Sequence, residues 1–222
     1  MIRNRLASLL ADRGIKISRA AMELPNISRN TITNTASNNG KMIQLETIDT
    51  LCQYLNITPA EFFEYLPFDL EYHADITEND ATTNEFFDYI DLPNNGIKFD
   101  FYIKKIVHNG TPSKLYSFTG VIEKRTFLEN NEVYLYVKLQ SDTNDFKEIW
   151  DDPKAAGFKP MIWQNIKKTI ANEINRSMMD RFPQMENDPF DYTDDSGSSL
   201  LISSDFNTDA SYNKHSDDEL PF

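Results

Sequence analysis

The segment that decides the N-terminal fold is Ile27-Ser28-Arg29-Asn30-Thr31-Ile32-Thr33-Asn34. Serine is favourable at the N-cap of a helix, so Ser28 predicts a helix that begins at Arg29. Ile27 before the cap and Ile32 at the fourth helical position have the spacing of a hydrophobic staple. The polar side chains between them then face outward. Hydrogen-bonding side chains in the first turns of a helix suit a helix that enters the major groove.

Apolar residues at helical spacing on both sides of this segment predict four more helices. The first carries Ile2, Leu6, Leu9 and Leu10 and stops before Gly14. A short second helix spans residues 18–24, ahead of the turn Pro25-Asn26. The fourth has an apolar stripe of Leu45, Ile48, Leu51, Cys52 and Leu55. Thr58-Pro59-Ala60-Glu61 is a capping box with proline at the first helical position, so a fifth helix begins there and continues through Phe63 toward Tyr65.

Five short helices with an exposed polar third helix resemble the Cro/CI-type (XRE family) helix-turn-helix domain of phage and bacterial regulators. The resemblance covers residues 1–66 and rests on the pattern of residues 27–32 and on the run from Leu51 to Pro59. It implies that the third helix reads double-stranded DNA. The DNA-binding residues that it implies are Ser28, Arg29, Asn30, Thr31, Thr33, Asn34 and Lys41. Many family members turn through a single glycine, whereas Pro25-Asn26 supplies one extra residue and leaves the angle of the third helix open.

Two other interpretations of residues 1–66 stay open. The segment is compatible with a helical bundle whose third helix happens to be polar. It is also compatible with a module of this fold that binds RNA or protein, because a fold does not fix a function.

The charge distribution divides the chain into four segments. The chain has 22 Lys/Arg and 35 Asp/Glu, a formal net charge of −13, whereas phosphate binding needs positive charge. The predicted segments are a near-neutral helix-turn-helix domain in 1–66, an acidic linker in 67–95, a slightly basic second domain in 96–182 and a disordered acidic tail in 183–222. Within the linker, Phe86, Phe87 and Ile90 indicate a short helix.

Residues 96–182 change from a strand pattern to a helix pattern. Aromatic and β-branched residues from Phe99, the hairpin signal Asn109-Gly110 and the turn Asn130-Asn131 predict three antiparallel strands. After Pro160, apolar residues recur at every fourth position and predict one long helix; they are Ile162, Ile166, Ile170, Ile174, Met178 and Phe182. The sequence therefore predicts a multidomain α+β protein, whose second domain is a three-stranded antiparallel sheet packed by one long helix.

The use of the second domain is left open by the sequence. Its small size favours pairing with a second copy, and a homodimer would place two reading helices on the half-sites of an operator. Lysines interleaved with tyrosines along the strands are compatible with a sheet that contacts nucleic acid, and equally with an ordinary solvated face.

The tail is rich in Asp, Ser, Asn and Thr, which indicates disorder. Its last six residues are Asp217-Asp218-Glu219-Leu220-Pro221-Phe222. They resemble the acidic tip of bacterial single-stranded-DNA-binding proteins, and the resemblance implies recruitment of a replication or repair protein. A terminal phenyl ring and carboxylate suit a hydrophobic pocket lined by basic residues. Two alternatives are a low-complexity tail without a partner, and a tail that folds back on the helix-turn-helix and competes with DNA.

We expect neither an enzyme nor a cofactor. His73, His108 and His215 are scattered, Cys52 stands alone, and the sequence contains no glycine-rich phosphate loop or nucleophile elbow. With no metal-ligand spacing, signal peptide or membrane-spanning run, the sequence predicts a cytoplasmic protein without a metal or a membrane partner.

The leading functional hypothesis is a phage-type transcriptional regulator that binds a duplex operator, as a homodimer, through its third helix. One alternative is a replication or recombination accessory protein that acts through the tail. Another is a counter-defence adaptor, similar in architecture to some anti-CRISPR proteins, whose C-terminal domain inhibits or recruits a partner.

Overall fold

The computed structural model describes residues 1–38, 40, 42–83, 90–108, 111–127, 132–143, 145–184 and 200–207. The chain divides into two compact units between Pro67 and Phe68. The first unit consists of short helices and a two-stranded ribbon. The second is built on a five-stranded sheet and one long helix.

The N-terminal unit consists of short helices between two strands that pair with each other. Its elements are β1 (Ile2–Asn4), α1 (Leu6–Asp12), α2 (Ile17–Glu23), α3 (Arg29–Ala36), α4 (Leu45–Leu55), α5 (Pro59–Phe62) and β2 (Phe63–Tyr65). The strands β1 and β2 are antiparallel, with Ile2 opposite Tyr65 and Asn4 opposite Phe63. The ribbon therefore joins the two ends of this unit.

The ribbon differs from the predicted five-helix description. Ile2, predicted on the first helix, lies in β1 and is 69% exposed. The predicted fifth helix is a single turn that ends at Phe62, and the residues expected to continue it form β2. The capping box itself is present, with the Thr58 N–H donating to the Glu61 carboxylate at 2.8 Å. The cause is a pairing between residues about sixty positions apart, which helical periodicity does not reveal.

One apolar core holds the N-terminal unit together. Its buried members are Leu6, Leu9, Leu10, Ala20, Ile27, Ile32, Ala36, Leu51, Cys52, Leu55 and Phe62. Ile27 and Ile32 both belong to it, as the predicted staple requires. Leu45 does not, since it is the first residue of α4 and is 82% exposed. The predicted stripe is therefore wrong at Leu45, and the apolar face begins one turn later at the partly buried Ile48.

The second unit contains seven strands and two α-helices among its described residues. In chain order they are β3 (Asp69–Glu78), β4 (Thr82–Thr83), β5 (Ile90–Asp91), β6 (Ile97–Ile106), β7 (Lys114–Phe127), β8 (Glu132–Ser141), α6 (Lys147–Trp150), α7 (Lys159–Arg181) and β9 (Leu200–Ser204). The main sheet has the order β3-β6-β7-β8-β9 and is antiparallel except for the parallel pair β8–β9. β4 and β5 pair separately, and a 3₁₀ segment at Pro153–Phe158 precedes α7.

The main sheet corrects the prediction of three strands, because both of its edge strands come from segments that composition assigned elsewhere. β3 lies in the predicted acidic linker, where Leu70 and Ala74 are buried while Glu71 and His73 are exposed. This segment is rich in acidic residues and is nevertheless a strand in which buried and exposed residues alternate. β9 lies in the predicted disordered tail and buries Leu200 and Ile202.

Several predicted features lie partly or wholly outside the described residues. The turns Asn109-Gly110 and Asn130-Asn131 are among them, although the strands on either side of each turn pair antiparallel. The predicted linker helix falls mainly on residues 84–89, also outside, and Ile90 begins β5.

α7 confirms the predicted long helix and its apolar face. It spans 23 residues, and every residue of the predicted stripe is buried. The helix contacts β3 and β9, at opposite edges of the sheet. A 23-residue helix is about 34 Å long, which is enough to cross strands spaced about 4.8 Å apart. Gly120 in β7 lies directly against the Phe99 ring, so any larger residue there would collide with that ring.

Candidate nucleic-acid interface

The start of α3 is fixed by the predicted cap. The Thr31 N–H donates to Ser28 Oγ at 3.0 Å, and the two hydroxyls are 2.8 Å apart. Ser28 has extended backbone angles, as an N-cap residue should. The helix therefore begins at Arg29, where the sequence predicts it.

α3 has one buried face and one polar exposed face. Ile32, Thr35 and Ala36 are buried in the core, and only 0%, 6% and 8% of their surfaces are exposed. The exposed residues of the helix up to Asn34 are Arg29, Asn30, Thr31, Thr33 and Asn34. A helix with one face buried presents its opposite side chains in a defined direction.

The structure divides the predicted DNA-binding residues into three groups. The hydroxyls of Ser28 and Thr31 form a hydrogen bond with each other, and Thr33 Oγ1 donates to the Arg29 carbonyl at 3.0 Å. Within the described part of the chain, the side chains of Arg29, Asn30 and Asn34 have no hydrogen-bond or ion-pair partner, which leaves them available to a ligand. Lys41 lies outside the described residues.

α2 supports α3 from the neighbouring position in the chain. Ala20 is fully buried and lets the two helices approach closely, and the Ile27 N–H donates to the Leu24 carbonyl at 3.0 Å in the connection between them. Tyr54 Oη on α4 donates to Glu23 at the end of α2 at 2.6 Å. This hydrogen bond, together with the Arg19 guanidinium, lowers the pKa of Glu23. The sequence carries no signal for this contact across 31 positions.

Few basic side chains of the N-terminal unit remain available for phosphate. Arg3 and Arg5 both pair with Glu64 on the ribbon, at 3.1 and 3.3 Å, and burial lowers the pKa of Arg3. Arg19 pairs with Glu23, and Arg13 donates to two backbone carbonyls. Among the described residues, that leaves Lys16, exposed at the N-cap of α2, and Arg29.

The first turn of α3 contains no acidic side chain, as in α1 and α2, whereas α4 has Glu46 there and α5 has Glu61. The partial positive charge of a helix N-terminus favours an anion when no carboxylate of the protein neutralises it. The start of α3 is therefore compatible with a polyanion.

Residues 5–67 match the family model of the Cro/C1-type HTH DNA-binding domain. No curated protein and no solved structure matches the chain.

The Cro/C1-type match includes α1 to α5 and β2, while β1 precedes it. It supports a DNA-binding regulator. Residues 68–222 lie outside the match, which therefore concerns the N-terminal part of the chain alone.

The other predicted contacts lie elsewhere in the chain. On the sheet, Lys98 pairs with Glu78 and Lys104 pairs with Glu71, so carboxylates of β3 offset part of the predicted basic face. The predicted tip, residues 217–222, lies outside the described residues. Among the described residues, none of the helices combines the length and the apolar composition of a membrane-spanning segment.

Proposed function

We propose that this protein is a sequence-specific transcriptional regulator that reads a duplex DNA operator with α3. The observation that carries the proposal is the set of exposed, uncommitted side chains of Arg29, Asn30 and Asn34 on a helix whose other face is buried. The location of α3 within residues that match a DNA-binding domain supports DNA as the ligand.

The chemistry of these three side chains matches base edges. Arginine donates two hydrogen bonds to O6 and N7 of guanine, and asparagine pairs with N6 and N7 of adenine. Asn30 and Asn34 are four positions apart and therefore lie on the same side of α3, one turn from each other. Each good bidentate contact discriminates against a wrong base by about 1–3 kcal/mol.

A homodimer is part of the proposal. In the described part of the N-terminal unit, few basic side chains are without a partner in the protein. Neutralisation of phosphates by basic side chains supplies much of the affinity for DNA. Two copies double the contacts and read two half-sites about 34 Å apart. The expected operator is therefore a palindrome.

Selection of bound sequences from a random duplex library tests the proposal directly. The expected result is one palindromic motif, bound by the wild type. The double variant Arg29→Ala/Asn34→Ala should lose that preference, with a reduction in affinity of roughly tenfold or more for the selected duplex. Recovery of no motif would contradict sequence-specific reading.

The matched control is Arg176→Ala. It removes the same charge from an exposed arginine of α7, where the guanidinium pairs with Glu173 at 2.6 Å. This variant should bind the selected duplex like the wild type. Equal losses in both variants would show that net charge, and not the reading side of α3, determines the binding. Enrichment of RNA over duplex DNA in a parallel selection would favour the RNA-binding interpretation.

A further inference from the structure

Two asparagines bind each other between β1 and the loop that follows α3. The Asn4 N–H and the Asn4 side-chain amide both donate to Asn38 Oδ1 at 2.8 Å. In return, Asn38 Nδ2 donates to the Asn4 carbonyl at 3.1 Å. Asn4 is a buried polar residue with 3% of its surface exposed. The pair forms a reciprocal lock between residues 34 positions apart.

The Asn4 side chain also reaches the C-terminal end of α3. Its Nδ2 donates to the Thr35 carbonyl at 2.7 Å, and its Oδ1 accepts the Leu6 N–H at 3.0 Å. The same carbonyl also accepts the Asn38 backbone N–H at 3.0 Å, so both asparagines donate to one carbonyl at the end of α3. One side chain thus connects the end of α3 with the start of α1.

The lock is attached to a frame formed by the paired strands β1 and β2. Asn4 is a residue of β1, whose neighbour β2 closes the unit, and the Arg5 N–H donates to the Phe62 carbonyl at 2.8 Å. Asn38 has a positive φ of 55°, a conformation in which asparagine and glycine are tolerated. The frame therefore holds α3 at the end opposite to Ser28.

We propose that Asn4 and Asn38 are positioning residues that set the orientation of α3, and thereby the register in which Arg29, Asn30 and Asn34 meet the bases. This inference rests on the proposed function for its DNA readout. Neither asparagine is required to touch DNA. Their action on recognition runs through the backbone of α3, which they tie to β1.

The test uses Asn38→Gly in the full chain. Glycine adopts the positive φ without strain, so the substitution removes the three side-chain bonds and leaves the backbone conformation accessible. Asn56→Gly is the matched control, because Asn56 has a φ of 51° at the end of α4 and is exposed. Both variants make the same chemical change in the same unit.

The first readout is independent of DNA. Residual dipolar couplings of backbone amides report the orientation of α3 relative to α1 and α4. In Asn38→Gly, the couplings of α3 should depart from the orientation that fits the other helices, and in Asn56→Gly they should not. Unchanged α3 couplings would overturn the proposal. So would loss of the folded N-terminal unit in Asn38→Gly alone, since the lock would then be needed for folding and not for orientation.

The second readout is the ratio of affinities for the selected operator and for a scrambled duplex of the same composition. We expect this ratio to fall roughly tenfold in Asn38→Gly, the value of one lost base contact, and to stay unchanged in Asn56→Gly. An unchanged ratio with a reoriented α3 would contradict the role in reading. If the wild type prefers no sequence, the proposed function fails, while the couplings still decide whether the lock orients α3.

Discussion

Ser28 shows how one side chain defines the start of the candidate reading surface. Its hydroxyl oxygen accepts the Thr31 N–H, one of the four N–H groups that a helix leaves unpaired at its start. Without this acceptor, the first turn of α3 would fray, and Arg29 and Asn30 lie on that turn. The cap therefore serves both the stability of the N-terminal unit and the placement of two candidate reading residues.

Ser28→Ala should lower the free energy of unfolding of the N-terminal unit by about 1 kcal/mol, as expected for loss of a capping hydroxyl. Urea unfolding followed by far-ultraviolet circular dichroism measures the helices of both units. Tryptophan fluorescence reports the second unit, because both tryptophans, Trp150 and Trp163, lie there. The dichroism transition should shift while the fluorescence transition stays in place.

Ser18→Ala is the control for the cap. Ser18 is an exposed serine on α2 and, within the described residues, makes no side-chain hydrogen bond. Its replacement should leave both transitions unchanged. A shift as large as that of Ser28→Ala would mean that the loss of any exposed serine, and not of the cap, destabilises the unit.

β9 and the residues that follow it complete the fold of the second unit. β9 adds a parallel strand to β8, and Phe206 behind it is 1% exposed. The Phe206 ring contacts Trp150, Trp163, Phe118 and Phe146, with centroid distances of 5.3, 6.0, 5.6 and 5.0 Å. Aromatic pairs at such distances contribute beyond their buried area. The segment 200–207 is therefore an integral part of the core.

Phe206→Ala should lower the free energy of unfolding of the second unit by about 3–5 kcal/mol, because it leaves a cavity among large rings. Urea unfolding followed by tryptophan fluorescence checks this result, since both tryptophans contact the ring. Leu201→Ala is the control on the other side of β9, where Leu201 is only half-buried. A similar, small effect of the two substitutions would contradict the packing of Phe206.

The elements that the sequence predicted best are those whose signals are local. Ser28, the staple of Ile27 and Ile32, and the apolar face of α7 need only neighbouring residues to be recognised. β3 and β9 were assigned to linker and tail because their acidic and polar residues dominate the composition, while the strands that pair with them lie far away in the chain. Cross-strand pairing depends on partners that no window of sequence contains.

The same distinction between local and long-range signals applies to the candidate site. The polar face of α3 was predictable from its cap and periodicity. The lock formed by Asn4 and Asn38 was not, because it joins residues 34 positions apart and neither stands in a recognisable motif. The pairing of β1 with β2 was not predictable from the sequence for the same reason. The predicted tip at residues 217–222 stays a prediction.

The charge of the whole molecule limits how it can hold DNA. The formal net charge is −13, and Arg3, Arg5 and Arg19 of the N-terminal unit pair with carboxylates. Long-range repulsion from a polyanion then has to be overcome by a small number of direct phosphate contacts. The salt dependence of the affinity gives the number of phosphate contacts, because each neutralised phosphate releases counterions.

The affinity for the selected operator should fall with salt with a logarithmic slope of about −2 for each bound N-terminal unit, at about −0.9 per phosphate. This value assumes phosphate contacts from Lys16 and Lys41, while Arg29 contacts a base edge. Fluorescence anisotropy of a labelled operator over a range of KCl concentrations measures the slope, and the stoichiometry gives the number of units bound.

Lys16→Ala should make the slope shallower by about 1 per unit. Lys147→Ala, which removes a lysine that pairs with Asp151 at 3.2 Å in the second unit, should leave it unchanged. A wild-type slope twice as steep, reduced by Lys147→Ala, would instead show that the second unit binds phosphates.

The parallel pairing of β8 with β9 also dictates an order of events during synthesis. Every described element of the N-terminal unit is complete once residue 67 has left the ribosome, so this unit can fold while the rest is being made. The sheet of the second unit cannot be completed before Leu200–Ser204 and Phe206 are synthesised. These residues emerge from the ribosome long after β8 and α7. Until then the edge of β8 is unpaired, and unpaired edges invite aggregation. A nascent chain stalled after α7 would therefore carry a finished helix-turn-helix on an unfinished sheet.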